Sequence, residues 1–174
     1  MEWVTLQIKL DIQEKDNTVT KSFDISLIDT AGQERFNAIT KNYFKDADGV
    51  LLIYDVTNRE SFLSTNNWID NIDESLGYQE NSKYIIILIG NKNNLNEDEG
   101  KVREISEDEA KKKCEEYNIL WGGEINIKTI GINELLELFK GYVKKVYEKV
   151  GIKPIKKQDV KKIPEKKKKR KKCE

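Results

Sequence analysis

Two stretches, Gly49–Val56 (GVLLIYDV) and Tyr84–Ile89 (YIIILI), decide the fold class. A strand with one wet face alternates apolar and polar residues, whereas continuous apolar runs of this length suit strands covered on both faces of a parallel sheet. Between the two runs, Phe62, Ile69, Ile72 and Leu76 recur at helical spacing. Upstream the period changes to two: Val4, Leu6, Ile8, Leu10 and Ile12 alternate with Thr5, Gln7, Lys9 and Asp11. The polar residues Glu14–Thr18 turn the chain, and Phe23, Ile25 and Leu27 resume the alternation, which reads as an antiparallel hairpin.

Downstream, Ser106 followed by Glu109 has the spacing of a capping box, and Ala110, Cys114 and Tyr117 mark one face of the helix it opens. Ile119–Ile125 is a shorter strand, weakened by Gly122 and Gly123. Leu135, Leu138, Phe139, Tyr142, Val146 and Val150 form the stripe of a last long helix. Strands alternating with helices indicate an α/β domain with a mostly parallel sheet over residues 1–150. After Gly151 the apolar periodicity stops, and Pro154, Pro164 and seven consecutive cations (Lys166–Lys172) give residues 151–174 the composition of a disordered basic tail.

Composition narrows the chemistry. The 174 residues are 37% hydrophobic and 36% charged, enough for one core in a soluble domain. Thirty-one basic residues balance thirty-one acidic ones only on average, because residues 151–174 carry 12 Lys/Arg against 3 Asp/Glu. An acidic body is joined to a basic tail. With no histidine, imidazole acid–base chemistry and His-ligated zinc are excluded. Two cysteines, Cys114 and Cys173, make no disulfide framework and suit a reducing compartment. The opening residues lack a signal-peptide pattern, and the longest apolar runs fall far short of the ~20 residues that span a membrane.

In open α/β sheets ligands bind beyond the carboxyl ends of the strands. Three polar groups fall there: Asp29, Asn91–Asn94 and Asn126–Lys128. One shared pocket would account for all three.

The run Asp29–Phe36 (DTAGQERF) resembles the switch sequence of the Ras superfamily and specifically of Rab proteins, and Asn42–Phe62 (NYFKDADGVLLIYDVTNRESF) continues the likeness. The resemblance implies an α/β P-loop NTPase (Ras-like) domain, mostly parallel with one antiparallel strand and helices on both faces. It implies GTP/GDP and Mg²⁺ as ligands, with Asp29 contacting the ion through water, the Gly32 amide bonding the γ-phosphate and Gln33 orienting the attacking water. Glycine admits close backbone approach, and the Gln33 amide offers water both a donor and an acceptor. Asn91-Lys92-Asn93-Asn94 stands where the family has its guanine-reading NKxD: Asn91 would tie the pocket loops, Lys92 would cover the base, and Asn94 replaces the aspartate. Glu124–Thr129 is similar to ETSAKT, so Lys128 would pack over the base. Trp68 and Trp121 read as core or helix-face residues, not as a stacking platform.

No GxxxxGK[ST] occurs in the 174 residues, and the likeness covers residues 3–150, about the last three-quarters of a Rab domain. The expectation is therefore an incomplete domain that neither binds nucleotide tightly nor hydrolyses it. In the family, a further strand lies between those ending at Asp29 and Asp55. Its absence would leave two inner edges unpaired, at ~1–3 kcal/mol per buried group. The tail resembles a Rab tail, with Lys166–Lys172 attracted to anionic membranes and Cys173 prenylated, although Cys173-Glu174 is neither a CaaX nor a double-cysteine ending. The implied function is a GTP/GDP switch in vesicle traffic on the cytosolic face of an intracellular membrane, with effectors, an exchange factor and a GTPase-activating protein as partners. The rival readings are a nucleotide-free Rab-like interaction module docking through Gln33–Phe44, and a nucleic-acid binder led by the tail, which the acidic body disfavours.

Overall fold

The computed structural model describes residues 2–14, 17–29, 44, 47–76, 84–92 and 101–151. The hairpin forms as its period requires: β1 (Glu2–Glu14) pairs antiparallel with β2 (Asn17–Asp29), Ile8 opposite Phe23 and Leu6 opposite Ile25. Ile8, Leu10 and Ile12 are buried on its apolar side.

The two apolar runs become the neighbouring strands β3 (Gly49–Asp55) and β4 (Ile85–Asn91), and β5 (Leu120–Ile125) adds to β4, giving a parallel sheet of order β3-β4-β5. Helices α1 (Arg59–Leu76), α2 (Glu107–Glu116) and α3 (Ile132–Val150) connect and follow them. β4 is buried on both faces, as its continuous Ile/Leu run demands. One face packs Leu52, Tyr54, Ile86 and Leu88 against Phe62, Ile69 and Ile72 of α1 and Ala110 and Cys114 of α2. The other packs Ile85, Ile87 and Ile89 against Leu138, Phe139, Tyr142 and Val146 of α3. Trp68 and Trp121 lie half-buried against the first of these cores.

Three details refine the sequence expectations. The hairpin is a separate two-stranded sheet, with no ladder joining β2 to β3 among the described residues. Its apolar side is satisfied by α3 instead, through Val143, Phe139 and Tyr147, and Lys21 Nζ donates to Tyr147 Oη at 3.0 Å. The capping box is half made: Ser106 Oγ accepts from the Glu109 N–H at 3.1 Å, while the Glu109 carboxylate turns to Arg59. Finally, β5 carries a bulge. Leu88 faces Trp121 and Gly90 faces Glu124, so Ile89 alone opposes Gly122 and Gly123. Gly123 has φ +91°, and a Cβ on Gly122 would lie 2.7 Å from Ile87 Cγ2, which is why this strand contains two glycines. The basic tail lies outside the described residues.

Candidate functional site

The parallel register aligns the carboxyl ends of three strands: Asp55 faces Asn91, and Asn91 faces Ile125. Beyond these ends the chain stays stitched. The Val56 N–H donates to the Asn91 carbonyl at 3.1 Å, and the Lys92 N–H donates to the Ile125 carbonyl at 2.8 Å. The next residue, Asn126, closes a turn on itself. Its Oδ1 accepts from the Lys128 N–H at 3.1 Å, and its carbonyl accepts from Thr129 and Ile130 at 3.1 and 2.9 Å. Asn91 is half-buried, while Lys92 and Lys128 are exposed. Two of the three polar groups singled out by sequence are thus side by side on one edge, presenting an asparagine and two lysine stems.

The third is not part of this edge. Asp29 ends β2, in the other sheet, and is exposed opposite Glu2. Gly32, Gln33, Asn94, Lys166–Lys172 and Cys173 lie outside the described residues.

Gly90 shows how tightly the site is backed. A Cβ there would meet Glu124 Cγ at 3.0 Å, Tyr54 Oη at 3.1 Å and Val56 Cγ1 at 3.2 Å. A side chain on the residue preceding Asn91 would therefore press on all three of these side chains. Tyr54 is buried, and its hydroxyl has no hydrogen-bond partner among the described residues; desolvation raises its pKa far above the usual tyrosine range, so it stays neutral.

An open cavity of about 550 Å³ adjoins the same edge at β3, lined by Asp55, Thr57, Asn58, Arg59, Lys101 and Glu104 among others. Its charges largely answer one another. The Asp55 carboxylate accepts from the Thr57 N–H at 2.9 Å and hydroxyl at 2.7 Å, Glu104 accepts from the Arg59 N–H at 2.8 Å, and the Arg59 guanidinium pairs with Glu109 and the Glu104 carbonyl. Sequence reading did not single out Arg59, Arg103 or Glu104. They fall in charged stretches without periodicity, and no local signal marks their partners.

Among the described residues no cluster of three or more Cys, Asp or Glu could hold a metal ion, and no helix is long and apolar enough to cross a membrane. Cys114 is buried, and desolvation pushes its thiol up to about 11, so it is not a candidate for modification.

Residues 4–148 match the Ras family model. The chain is 39% identical over 115 residues to the Ras-related protein Rab-27B of Rattus norvegicus, covering 65% of this chain and 50% of that protein. It is 37% identical over 136 residues to Rab-27A of Rattus norvegicus (77% and 58%), and 45% identical over 95 residues to Rab-27A of Mus musculus (55% and 40%). The chain thus spans about half the length of the curated relatives it matches.

Proposed function

The chain belongs to the Ras family, in its Rab branch, and from that premise we propose that it carries the base-reading side of a guanine-nucleotide switch acting in vesicle traffic. The observation that supports this reading most is the Lys92 N–H to Ile125 carbonyl bond, which sets the Asn91–Lys92 and Asn126–Lys128 segments next to each other. A purine has two apolar faces and polar edges. Lysine stems suit the faces, an asparagine amide suits the edge or the neighbouring loop, and exposed ammonium groups suit an anionic ligand.

In this reading Asn91 ties the loops, Lys92 and Lys128 flank the base, and Asn94 meets its edge. Gly32 and Gln33 serve the γ-phosphate and the attacking water. Members of this family bind GTP or GDP with Mg²⁺. Among the described residues no acidic cluster builds the ion's site, and Asp29 is exposed at the end of β2. Effectors, an exchange factor and a GTPase-activating protein are the corresponding partners. Lys166–Lys172 would hold an anionic membrane from the cytosolic side, with a prenyl group on Cys173, the cysteine left once Cys114 is set aside.

Base selectivity tests the reading. GDP and ADP share their phosphates and differ in the base, so equilibrium binding to the 174-residue chain should favour GDP by about tenfold or more, roughly 1.4 kcal/mol. Equal affinities would contradict it. Binding of neither would favour the rival module that docks partners through Gln33–Phe44.

A further inference from the structure

Arg103 and Glu124 form a pair to which none of the roles above gives a task. Glu124 is the penultimate residue of β5, and its side chain is only 4% exposed against 34% for Arg103. A lone carboxylate so placed would be costly to bury. Arg103 answers it with both prongs of the guanidinium, Nη1 donating to Oε1 at 2.6 Å and Nη2 to Oε2 at 2.8 Å. Nη1 also donates to the Ile105 carbonyl at 3.0 Å, which anchors the fork to its own loop. The bond to Glu124 raises the Arg103 pKa above its ordinary value, so the guanidinium stays charged.

Glu124 sits at the junction of the two loops. It faces Gly90 across the bulged ladder, and its Cγ would lie 3.0 Å from a Cβ on that glycine. The following residue, Ile125, receives the Lys92 N–H, and Asn126 closes the turn carrying Lys128. We propose that Arg103 is a positioning residue: through Glu124 it holds the end of β5 against Gly90–Lys92 and so sets the spacing of Lys92 and Lys128. The tie between the loops stands by itself; its consequence for guanine nucleotide rests on the functional reading above.

Two measurements on the 174-residue chain separate these layers. The first is amide hydrogen exchange in Arg103→Ala, in Arg103→Lys and in the control Lys111→Ala, which removes only an exposed pair with Glu107 on α2. Arg103→Ala should speed exchange at the Lys92 and Lys128 amides about tenfold or more while the β3–β4 ladder at Leu52 and Leu88 is unchanged. Arg103→Lys should give a smaller local effect, because lysine keeps the charge and loses the fork. The second is GDP affinity, which Arg103→Ala should weaken about tenfold and Lys111→Ala should not change. Unchanged exchange at Lys92 and Lys128 overturns the inference. So does a uniform acceleration in both Arg103 variants, which would make Arg103 a general stabiliser. Local acceleration in a chain that binds no GDP upholds the tie and overturns the nucleotide reading.

Discussion

In the proposed reading Asn94 stands where an aspartate would accept two hydrogen bonds from guanine, one from the ring N–H and one from the exocyclic amino group. Asparagine keeps one acceptor oxygen and turns an NH₂ donor toward the other contact. Losing a charge-assisted bond costs ~1.5–3 kcal/mol, so guanine binding falls by one or more powers of ten. Xanthine has a carbonyl in place of that amino group and can accept from Asn94. The GDP/XDP affinity ratio should therefore be lower for this chain than for its Asn94→Asp variant; an equal ratio would mean that residue 94 does not read the base. A second residue-scale outcome concerns Lys113, whose buried ammonium lies 3.6 Å from the Phe62 ring centroid and donates to the Phe62 carbonyl at 2.7 Å and Thr65 Oγ at 3.0 Å. Desolvation lowers its pKa. A depressed lysine pKa means that the native state sheds its proton first, so this contribution opposes folding at neutral pH and fades as pH rises toward the ordinary lysine value. Thr65 keeps its bond to the Phe62 carbonyl without Lys113. Lys113→Met should thus match or exceed the parent stability at about pH 7, by no more than ~1 kcal/mol, with the gap closing toward about pH 10. Urea midpoints at the two pH values check it, and a gap that widens with pH contradicts it.

At the scale of elements, β3 is the exposed weak point. Among the described residues it has β4 as its one ladder partner, and on the α3 side of the sheet Leu51 and Ile53 remain 37% and 58% exposed. No Lys, Pro or bulge interrupts Gly49–Tyr54, the devices by which edge strands usually avoid self-association. The 174-residue chain should accordingly self-associate on concentration, and Ile53→Lys should reduce light scattering without altering the α1–α2 core, which lies on the other face. A monodisperse parent that melts sharply above ~50 °C would contradict this. The same strand shows what could be read in advance. Its continuous apolar run announced a strand covered on both faces, and Leu52 and Tyr54 obey. That Leu51 and Ile53 stay open depends on what packs beyond them, which no pattern inside seven residues encodes. β5 is the converse case: its two glycines looked like weakness and are the bulge that lets it approach Ile87 and Ile89.

At the scale of the whole molecule, charge and function divide along the chain. The acidic body, residues 1–150, carries the α/β architecture, and the cationic run of residues 166–172 follows it. Each basic residue near an anionic surface contributes about 1 kcal/mol, screened by salt. Sedimentation with phosphatidylserine vesicles should carry the chain down at low salt and lose it at high salt, and removal of residues 151–174 should abolish binding; salt-insensitive binding would exclude the tail as its cause. The architecture was legible because hydrophobic period tracks burial, and the nearness of Asn91–Lys92 to Asn126–Lys128 because both segments follow strands of one parallel sheet. Arg103 with Glu124, and Arg59 with Glu109, were not legible, since pairing across 21 and 50 residues leaves no periodic trace. The central claim is that the β4 and β5 ends together receive a guanine base. It is tested most directly by titrating GDP into the 174-residue chain and following the Lys92 and Lys128 amides by NMR. Both amides should shift along one saturating curve with a dissociation constant of about 1 mM or weaker, near −4 kcal/mol. Shifts confined to the Arg59–Lys101 cavity, or no shift at either amide, would contradict it.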